Sequence, residues 1–126
     1  VSAPPTSSLE VPILNEGEIY LGAIIYGESA HRHHTILLPG DVENKTWEQA
    51  MKWAADQGGD LPNRVEQALL FATLKSEFQE AAYWSNSHHA VFSDFAWCQN
   101  FGSGSQYNYT THFKLRARAV RRLIIQ

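Results

Sequence analysis

The residues of this sequence with the most reactive side chains are concentrated between Tyr83 and Phe101. This stretch, YWSNSHHAVFSDFAWCQNF, holds two adjacent histidines, an aspartate and the only cysteine among several aromatic side chains. Imidazoles can bind a metal or act as a base, and a cysteine beside such a base can act as a nucleophile. The same composition also suits the wall and rim of a surface that binds a partner.

A metal centre would have to use the six histidines of the chain. His31 and His34 have a spacing found in zinc sites, but His88 and His89 are adjacent and would point to opposite sides of a strand. No Cys-x-x-Cys motif, His-Glu-x-x-His motif or Asp-rich calcium loop accompanies them. We therefore expect exposed histidines in turns, and neither a metal nor another cofactor.

A thiol enzyme would need Cys98 close to a histidine base that a third group orients. His89 and Asp94 could supply these parts, but Cys98 lies between Trp97 and Gln99, and its apolar, aromatic context favours an inert buried thiol. The chain also lacks a Gly-x-Ser-x-Gly elbow and the lysine of a phosphate-binding loop. These patterns predict no catalytic residue.

Charged residues are distributed unevenly along the chain. All 13 acidic residues lie at or before Asp94, whereas the last 13 residues carry five of the 10 basic ones: Lys114, Arg116, Arg118, Arg121 and Arg122. Such a basic segment could contact nucleic acid, with nearby aromatic rings stacking on bases. A pI near 6.0 argues against nucleic-acid binding, because domains with that function are usually basic. We expect instead that these arginines pair with acidic residues of the first half.

Two apolar runs and two capped segments predict the first half of the fold. The runs at 17–27 and 35–40 are rich in β-prone residues and predict a strand hairpin, with a polar turn at 29–34 between them. Two helices follow, because Thr46 with Gln49 and Asn63 with Glu66 both have capping-box spacing. Their apolar stripes comprise Trp47, Ala50, Met51 and Ala54 in the first helix, and Leu70, Phe71, Leu74 and Phe78 in the second.

After Gln79 the pattern changes to short β-prone runs. AYWSNS and FAWCQNF predict strands, and GSGSQYNY predicts a turn between two strands. In FKLRARAVRRLIIQ, small apolar residues alternate with arginines, which predicts one final strand that pairs with the first strand near 19–26. Residues 1–16, which contain three of the five prolines, predict an extended leader before a single domain at 17–126.

These segments together resemble the Lcl C-terminal domain family, which comprises small bacterial and prophage domains with a C-type-lectin-like fold. The resemblance rests on TWEQAMKWAADQGGDLPNRVEQALLFATL, YWSNS, FAWCQNFGSGSQYNY and LRARAVRRL, and it covers roughly residues 17–123. It implies an α+β fold in which two short helices pack on antiparallel sheets and the N- and C-terminal strands pair. Relatives of the broader fold serve as phage receptor-binding tips and as surface adhesins.

The resemblance also implies a ligand surface on the late strands and loops. Mapped onto this chain, that surface comprises Ser85, Asn86, Ser87, His88, Asp94, Gln99, Asn100, Gln106, Tyr107, Asn108 and Tyr109. The loops at 93–95 and 102–112 are rich in Tyr, Ser, Gly and Asn, which are residue types that suit adaptable binding loops. Calcium-dependent sugar binding is not implied, because the lectins with that activity use a Glu-Pro-Asn or Gln-Pro-Asp loop, and LPN at 61–63 is instead a helix entry. Oxidase activity of the formylglycine-generating kind is not implied either, because it needs more than one cysteine.

We therefore expect a non-enzymatic binding domain whose partner is a protein or a surface receptor. Two settings stay open: a phage or prophage receptor-binding or display module on a virion or cell surface, with possible homo-oligomers, and a phage protein in the host cytoplasm that inhibits a host defence protein. No apolar run approaches the roughly 20 residues that cross a bilayer. We expect Trp84 and Trp97 to lie in the interior and Trp47, Trp53, Leu70 and Phe101 to serve mainly in packing.

Overall fold

The chain folds into an α+β domain, as the sequence predicts. The computed structural model describes residues 9–26 and 31–125. The elements in order are β1 (Ile19–Tyr26), β2 (His31–Leu37), β3 (Val42–Lys45), α1 (Trp47–Asp56), α2 (Arg64–Leu74), a 3-10 turn (Lys75–Glu77), β4 (Ala82–His88), β5 (Phe95–Asn100), β6 (Gln106–Thr110), β7 (Leu115–Ala117) and β8 (Val120–Ile124). The first eight residues of the predicted leader and two residues of the predicted polar turn, Ser29 and Ala30, lie outside the described residues.

The strands form two sheets, one with the order β1-β2-β8 and the other with the order β3-β7-β4-β5-β6. Strand pairs are antiparallel except β4 with β7, which is parallel. Helix α1 contacts β3, β4 and β7, whereas α2 contacts β4, β5 and β1. Helix α2 therefore joins the two sheets.

Both helices begin at the capping boxes that the sequence predicts. In α1, the backbone N–H of Gln49 donates to Thr46 Oγ1 at 3.3 Å, and the backbone N–H of Thr46 donates to Gln49 Oε1 at 3.0 Å. In α2, Asn63 and Glu66 make the same two bonds at 2.8 Å each. These bonds pair the N–H groups that a helix leaves without partners in its first turn.

The core lies on both faces of the five-stranded sheet. Trp84 packs with Ala50 and Ala54 of α1 on one face, and Tyr83 packs with Leu70 of α2 on the other. Because successive strand residues point to opposite faces, two neighbouring residues of β4 reach two different helices. The sheet is thus covered on both sides along β4, which fixes the strands that carry the candidate site.

The C-terminal segment differs from the prediction in two ways. It forms two strands in two sheets rather than one, and β8 pairs with β2 rather than with β1. The chain crosses between the sheets at Arg118 and Ala119, where Ala119 O accepts the Leu38 N–H at 2.9 Å and Arg118 Nη2 donates to Leu38 O at 2.8 Å. These bonds to the end of β2 bring β8 alongside that strand.

The prediction of exposed turn histidines is wrong for His33 and His34. Both lie in β2, which begins at His31, and their side chains are buried. A hydrogen bond of 2.9 Å joins His34 Nδ1 to the Tyr20 hydroxyl, and another of 2.9 Å joins His33 Nδ1 to Thr35 Oγ1. Burial of these polar rings is tolerated because partners lie within reach.

The predicted turn GSGSQYNY is also shorter in the structure. Asn100 Oδ1 accepts the N–H groups of Gly102 and Ser103 at 2.7 and 3.1 Å, and the Asn100 N–H donates to Ser105 O. These bonds complete the reversal by residue 105. From Gln106 onward the chain forms β6, in register with β5.

The predicted internal pairing is confirmed for all four C-terminal arginines, and three of them pair with acidic residues of the first half of the chain, as predicted. Arg116 pairs with Asp41 and Glu43, Arg118 with Glu77, Arg121 with Glu18, and Arg122 with Asp60 and Glu66. Of these acids only Glu66 lies in an α-helix. The acidic first half and the basic end of the chain are therefore held together by ion pairs.

The pair between Glu18 and Arg121 should make the stability of the protein fall in acid. Two hydrogen bonds from Arg121, at 2.8 and 2.9 Å, lower the pKa of Glu18 from 4.5 to about 2. A carboxyl whose pKa is lower in the folded state stabilises the protein above its unfolded pKa, and this contribution disappears as the pH falls through the folded pKa. We expect the melting temperature of the wild type to drop more steeply between pH 5 and about 2 than that of Glu18→Gln. Parallel curves for the two proteins would contradict this assignment.

Candidate binding surface around the β4–β5 loop

The loop between β4 and β5, residues 89–94, exposes two consecutive large apolar side chains. Val91 is 76% exposed and Phe92 is 60% exposed. Exposed apolar residues that form a contiguous patch mark contact surfaces, whereas isolated ones are common on any protein surface. We call this segment the β4–β5 loop.

Hydrogen bonds give the β4–β5 loop a defined shape. His89 Nδ1 accepts the N–H groups of Val91 and Phe92 at 3.1 and 3.2 Å. The His89 N–H donates to Phe95 O at 2.8 Å, and the Phe95 N–H donates to Phe92 O at 3.0 Å. Because Nδ1 accepts two N–H groups, the proton of the neutral ring lies on Nε2.

An apolar hollow of about 400 Å³ lies on one side of this loop. His89, Phe92, Phe95 and Asn108 line it. The ring centroids of His89 and Phe92 are 5.3 Å apart, and those of Phe92 and Phe95 are 6.3 Å apart at 64°. At the boundary of this apolar space, Asn108 Oδ1 is buried and has no hydrogen-bond partner among the described residues.

A polar hollow of about 290 Å³ lies on the other side of the loop. It is lined by Thr46, Trp47, Glu48, His88, Ser93, Asp94, Thr111 and His112. The Trp47 ring contacts the His88 ring at 4.1 Å between centroids, and Trp47 Nε1 donates to Ser85 O at 2.8 Å. Backbone hydrogen bonds join the start of α1 to the end of β6 and to the β4–β5 loop, because the Trp47 N–H donates to Thr111 O and the Thr111 N–H donates to Asp94 O. Strands, loop and the start of α1 therefore form one continuous surface.

Three of the site residues predicted from the sequence line these hollows. His88 and Asp94 lie in the polar hollow, and Asn108 lies in the apolar one. Ser87 is adjacent in β4, where its N–H donates to Ser85 Oγ and its hydroxyl donates to Asn86 Oδ1. His88 and Asp94 therefore lie together, whereas Asn108 lies on the other side of the loop.

Ser85 and Gln99 do not reach the surface, which corrects their assignment as ligand-binding residues. Both are fully buried. Ser85 Oγ donates to Trp97 O at 2.7 Å, and Gln99 Nε2 donates to Gln67 O at 2.7 Å. Their polar groups are needed to satisfy buried backbone atoms, so they shape the scaffold rather than contact a ligand.

Other predicted site residues are held in framework hydrogen bonds. Asn86 Nδ2 donates to Asp60 Oδ2 at 2.9 Å, and Gln106 exchanges two hydrogen bonds with Arg64 at the start of α2. Asn100 caps the turn before β6. These three side chains attach the strands to their neighbours.

Tyr107 and Tyr109 lie on the opposite face of the sheet from Asn108. They pack against the α1 side of the core, with their rings 5.5 Å apart in an edge-to-face arrangement. Burial raises the pKa of Tyr107. The predicted set therefore divides between two faces, because residues of one strand alternate.

The expectation that Trp84 and Trp97 share the interior is correct only for Trp84. Trp84 is fully buried, and its Nε1 donates to Lys45 O at 2.9 Å. Trp97 is partly exposed on the other face of the sheet, where the Arg64 guanidinium lies 3.6 Å from its ring centroid. Trp84 pairs with Cys98, so Trp97 has the opposite orientation. Trp97 is a cation–π platform beside the apolar hollow, with the His89 ring 6.1 Å away.

Several residues of this surface were not predicted. They are Val91 and Phe92 in the loop, and Trp47 and Glu48 in the polar hollow. Phe95 and His112 belong to the segments 93–95 and 102–112 that were predicted as binding loops, and His89 was expected at the accessible edge. The sequence does contain one signal for the loop, namely two large apolar residues placed between strands in an otherwise polar segment. The contribution of α1 had no such signal, because it depends on tertiary packing.

Cys98 is buried in the core, which confirms the prediction of a buried thiol. Its Sγ donates to Tyr107 O at 3.4 Å, and burial raises the pKa of the thiol to about 12. A thiol with such a pKa is protonated at neutral pH and is a poor nucleophile.

Replacement of Cys98 by alanine should therefore cost only about 1 kcal/mol of stability and leave binding unchanged. The change removes one sulfur atom from a packed core and no group of the loop surface. Chemical denaturation and binding measurements on the variant check both parts. Loss of a measured activity in a variant that is fully folded would favour a thiol enzyme.

The described part of the chain contains no group of three His, Cys, Asp or Glu side chains placed to hold a metal ion. Among its helices, none has both the length and the apolar character to span a membrane. Comparison of the sequence with protein-family models and with curated proteins finds no match.

Proposed function

We propose that this protein is a non-enzymatic binding module that presents the β4–β5 loop and its two hollows to a protein or a surface receptor. The proposal rests on the exposure of Val91 and Phe92, 76% and 60%, beside two concave surfaces. Burial of such apolar surface contributes roughly 25 cal/mol per Å². A loop already held by hydrogen bonds loses little conformational entropy when it binds.

The frame that we propose for this module is C-type-lectin-like, of the Lcl C-terminal domain type. The order of elements supports it, because a strand hairpin, two capped helices and late strands are followed by a last strand that returns to the hairpin. In that frame the late strands and loops carry the ligand surface. The β4–β5 loop and the start of β5 would belong to it.

For the setting, we propose a receptor-binding or display module of a phage or prophage. The support is the resemblance of the two helices and late strands to domains found in such genomes. A phage protein that occupies a host defence protein in the cytoplasm would use the same surface. The two settings differ in where the partner is found, and the experiment below separates them.

The experiment compares binding of the labelled wild-type protein to intact bacterial cells and to a soluble lysate of the same cells. Phe92→Asp places a charge at the centre of the proposed contact and should weaken binding at least about tenfold. Leu69→Asp is the matched control, because Leu69 is also an exposed apolar residue, at 38%, but lies in α2. It should bind as the wild type does.

Binding to intact cells that Phe92→Asp abolishes supports the display setting. Binding confined to a soluble protein of the lysate supports the inhibitor instead. Equal binding by the wild type and Phe92→Asp would refute the proposed surface in either setting.

A further inference from the structure

The apolar hollow combines aromatic walls with a polar group that lacks a partner. His89, Phe92 and Phe95 supply three rings around about 400 Å³ of space, which is the lower part of the usual range of ligand pockets. Asn108 Oδ1 is buried and accepts no hydrogen bond from the residues that the structure describes. A buried acceptor without a partner is unfavourable, and native proteins rarely retain one without a reason.

We infer that the apolar hollow is the pocket for a tyrosine side chain of a protein partner, whose hydroxyl pairs with the Asn108 amide. This inference rests on the proposed binding function and names the chemistry of the residue that is bound. Aromatic rings bind one another through edge-to-face and offset contacts, which the inclined rings of Phe92 and Phe95 allow.

The amide of Asn108 selects tyrosine among the aromatic residues. An amide offers both a donor and an acceptor, and the phenolic hydroxyl also has both, whereas phenylalanine has neither and the indole N–H only donates. The last side-chain torsion of asparagine is soft, so a small rotation can turn Oδ1 toward the hollow. Tyrosine is also enriched at protein interfaces, because its ring is rigid and its hydroxyl is polar.

The test uses N-acetyl-tyrosinamide, N-acetyl-phenylalaninamide and N-acetyl-tryptophanamide as probes, each titrated into the ¹⁵N-labelled protein. We expect amide shifts at Phe92, Phe95 and Asn108, with the tyrosine probe binding about fivefold more tightly than the other two. Phe92→Ala should weaken all three probes, whereas Val91→Ala should not, because Val91 is exposed on the same loop but does not line the hollow.

Asn108→Leu separates recognition from folding. It removes the unpartnered acceptor, so its melting temperature should equal or exceed that of the wild type, while the preference for tyrosine over phenylalanine disappears. The absence of shifts at the hollow, or a preference for another probe, would overturn this inference. If partner binding were still lost in Phe92→Asp, the proposed binding function would survive that result.

Discussion

Replacement of Arg122 by methionine should lower the free energy of unfolding by about 3–5 kcal/mol. The Glu66 carboxylate is fully buried, and Arg122 binds both of its oxygens, at 2.6 and 2.7 Å. Burial alone would lower the pKa of the Arg122 guanidinium, but its hydrogen bonds to Glu66 and Asp60 outweigh burial and raise that pKa. Without Arg122, a buried carboxylate would retain mainly neutral donors, the Thr35 hydroxyl at 3.1 Å and the Asn63 N–H at 2.8 Å.

Two further variants test this explanation. Addition of Glu66→Gln to Arg122→Met should recover part of the loss, because glutamine keeps the capping box, as Gln49 does in α1. Lys52→Met removes a cation from an exposed pair with Asp56 and should cost less than about 0.5 kcal/mol. Urea denaturation measures all three. If Arg122→Met costs no more than Lys52→Met, the buried pair does not organise this part of the fold.

Gly59→Ala should destabilise the protein by about 3 kcal/mol. A Cβ atom at Gly59 would lie 2.2 Å from Val120 O and 2.9 Å from Leu38 Cδ1. The next residue, Asp60, exchanges two backbone hydrogen bonds of 2.8 Å with Val120. The methyl group would therefore push β8 away from the segment that leads into α2.

Gly58→Ala is the matched control for this prediction. Gly58 has a φ of +86°, but no atom of the described part of the chain lies within 4 Å of the Cβ that alanine would add. Its cost should be about 1 kcal/mol, from the left-handed backbone alone. Thermal and urea unfolding measure the loss of stability in the two variants. Equal losses would show that the close approach of Gly59 to Val120 is unimportant.

Local patterns in the sequence were sufficient to predict the two helices and the pairing of the arginines. A capping box is a contact between residues three apart, and it specifies its own geometry at Thr46 and Asn63. Because all 13 acidic residues lie at or before Asp94, any acidic partner of the C-terminal arginines had to come from the preceding part of the chain. These predictions needed no knowledge of which strands pair.

The features that were missed depend on which strands and helices meet. Alternation places Trp84 and Trp97 on opposite faces once the β4–β5 register is known, but alternation alone does not say which face a helix covers. His33 and His34 are buried in β2, where His33 lies beside Glu66 of α2 and His34 beside Tyr20 of β1, and these neighbours cannot be inferred from local sequence. Ser85 and Gln99 were chosen for their polarity, yet buried backbone atoms use that polarity.

Hydrogen–deuterium exchange of the protein alone and in complex with the partner purified from the cells or lysate that bind it tests the central claim most directly. We predict that the partner slows exchange in residues 88–95 and 108–112, which contain the β4–β5 loop and most of the two hollows around it. Exchange in β1 and β8, at the edges of the three-stranded sheet, should be unchanged. Protection confined to those edge strands, with none at the loop, would show that the partner binds elsewhere.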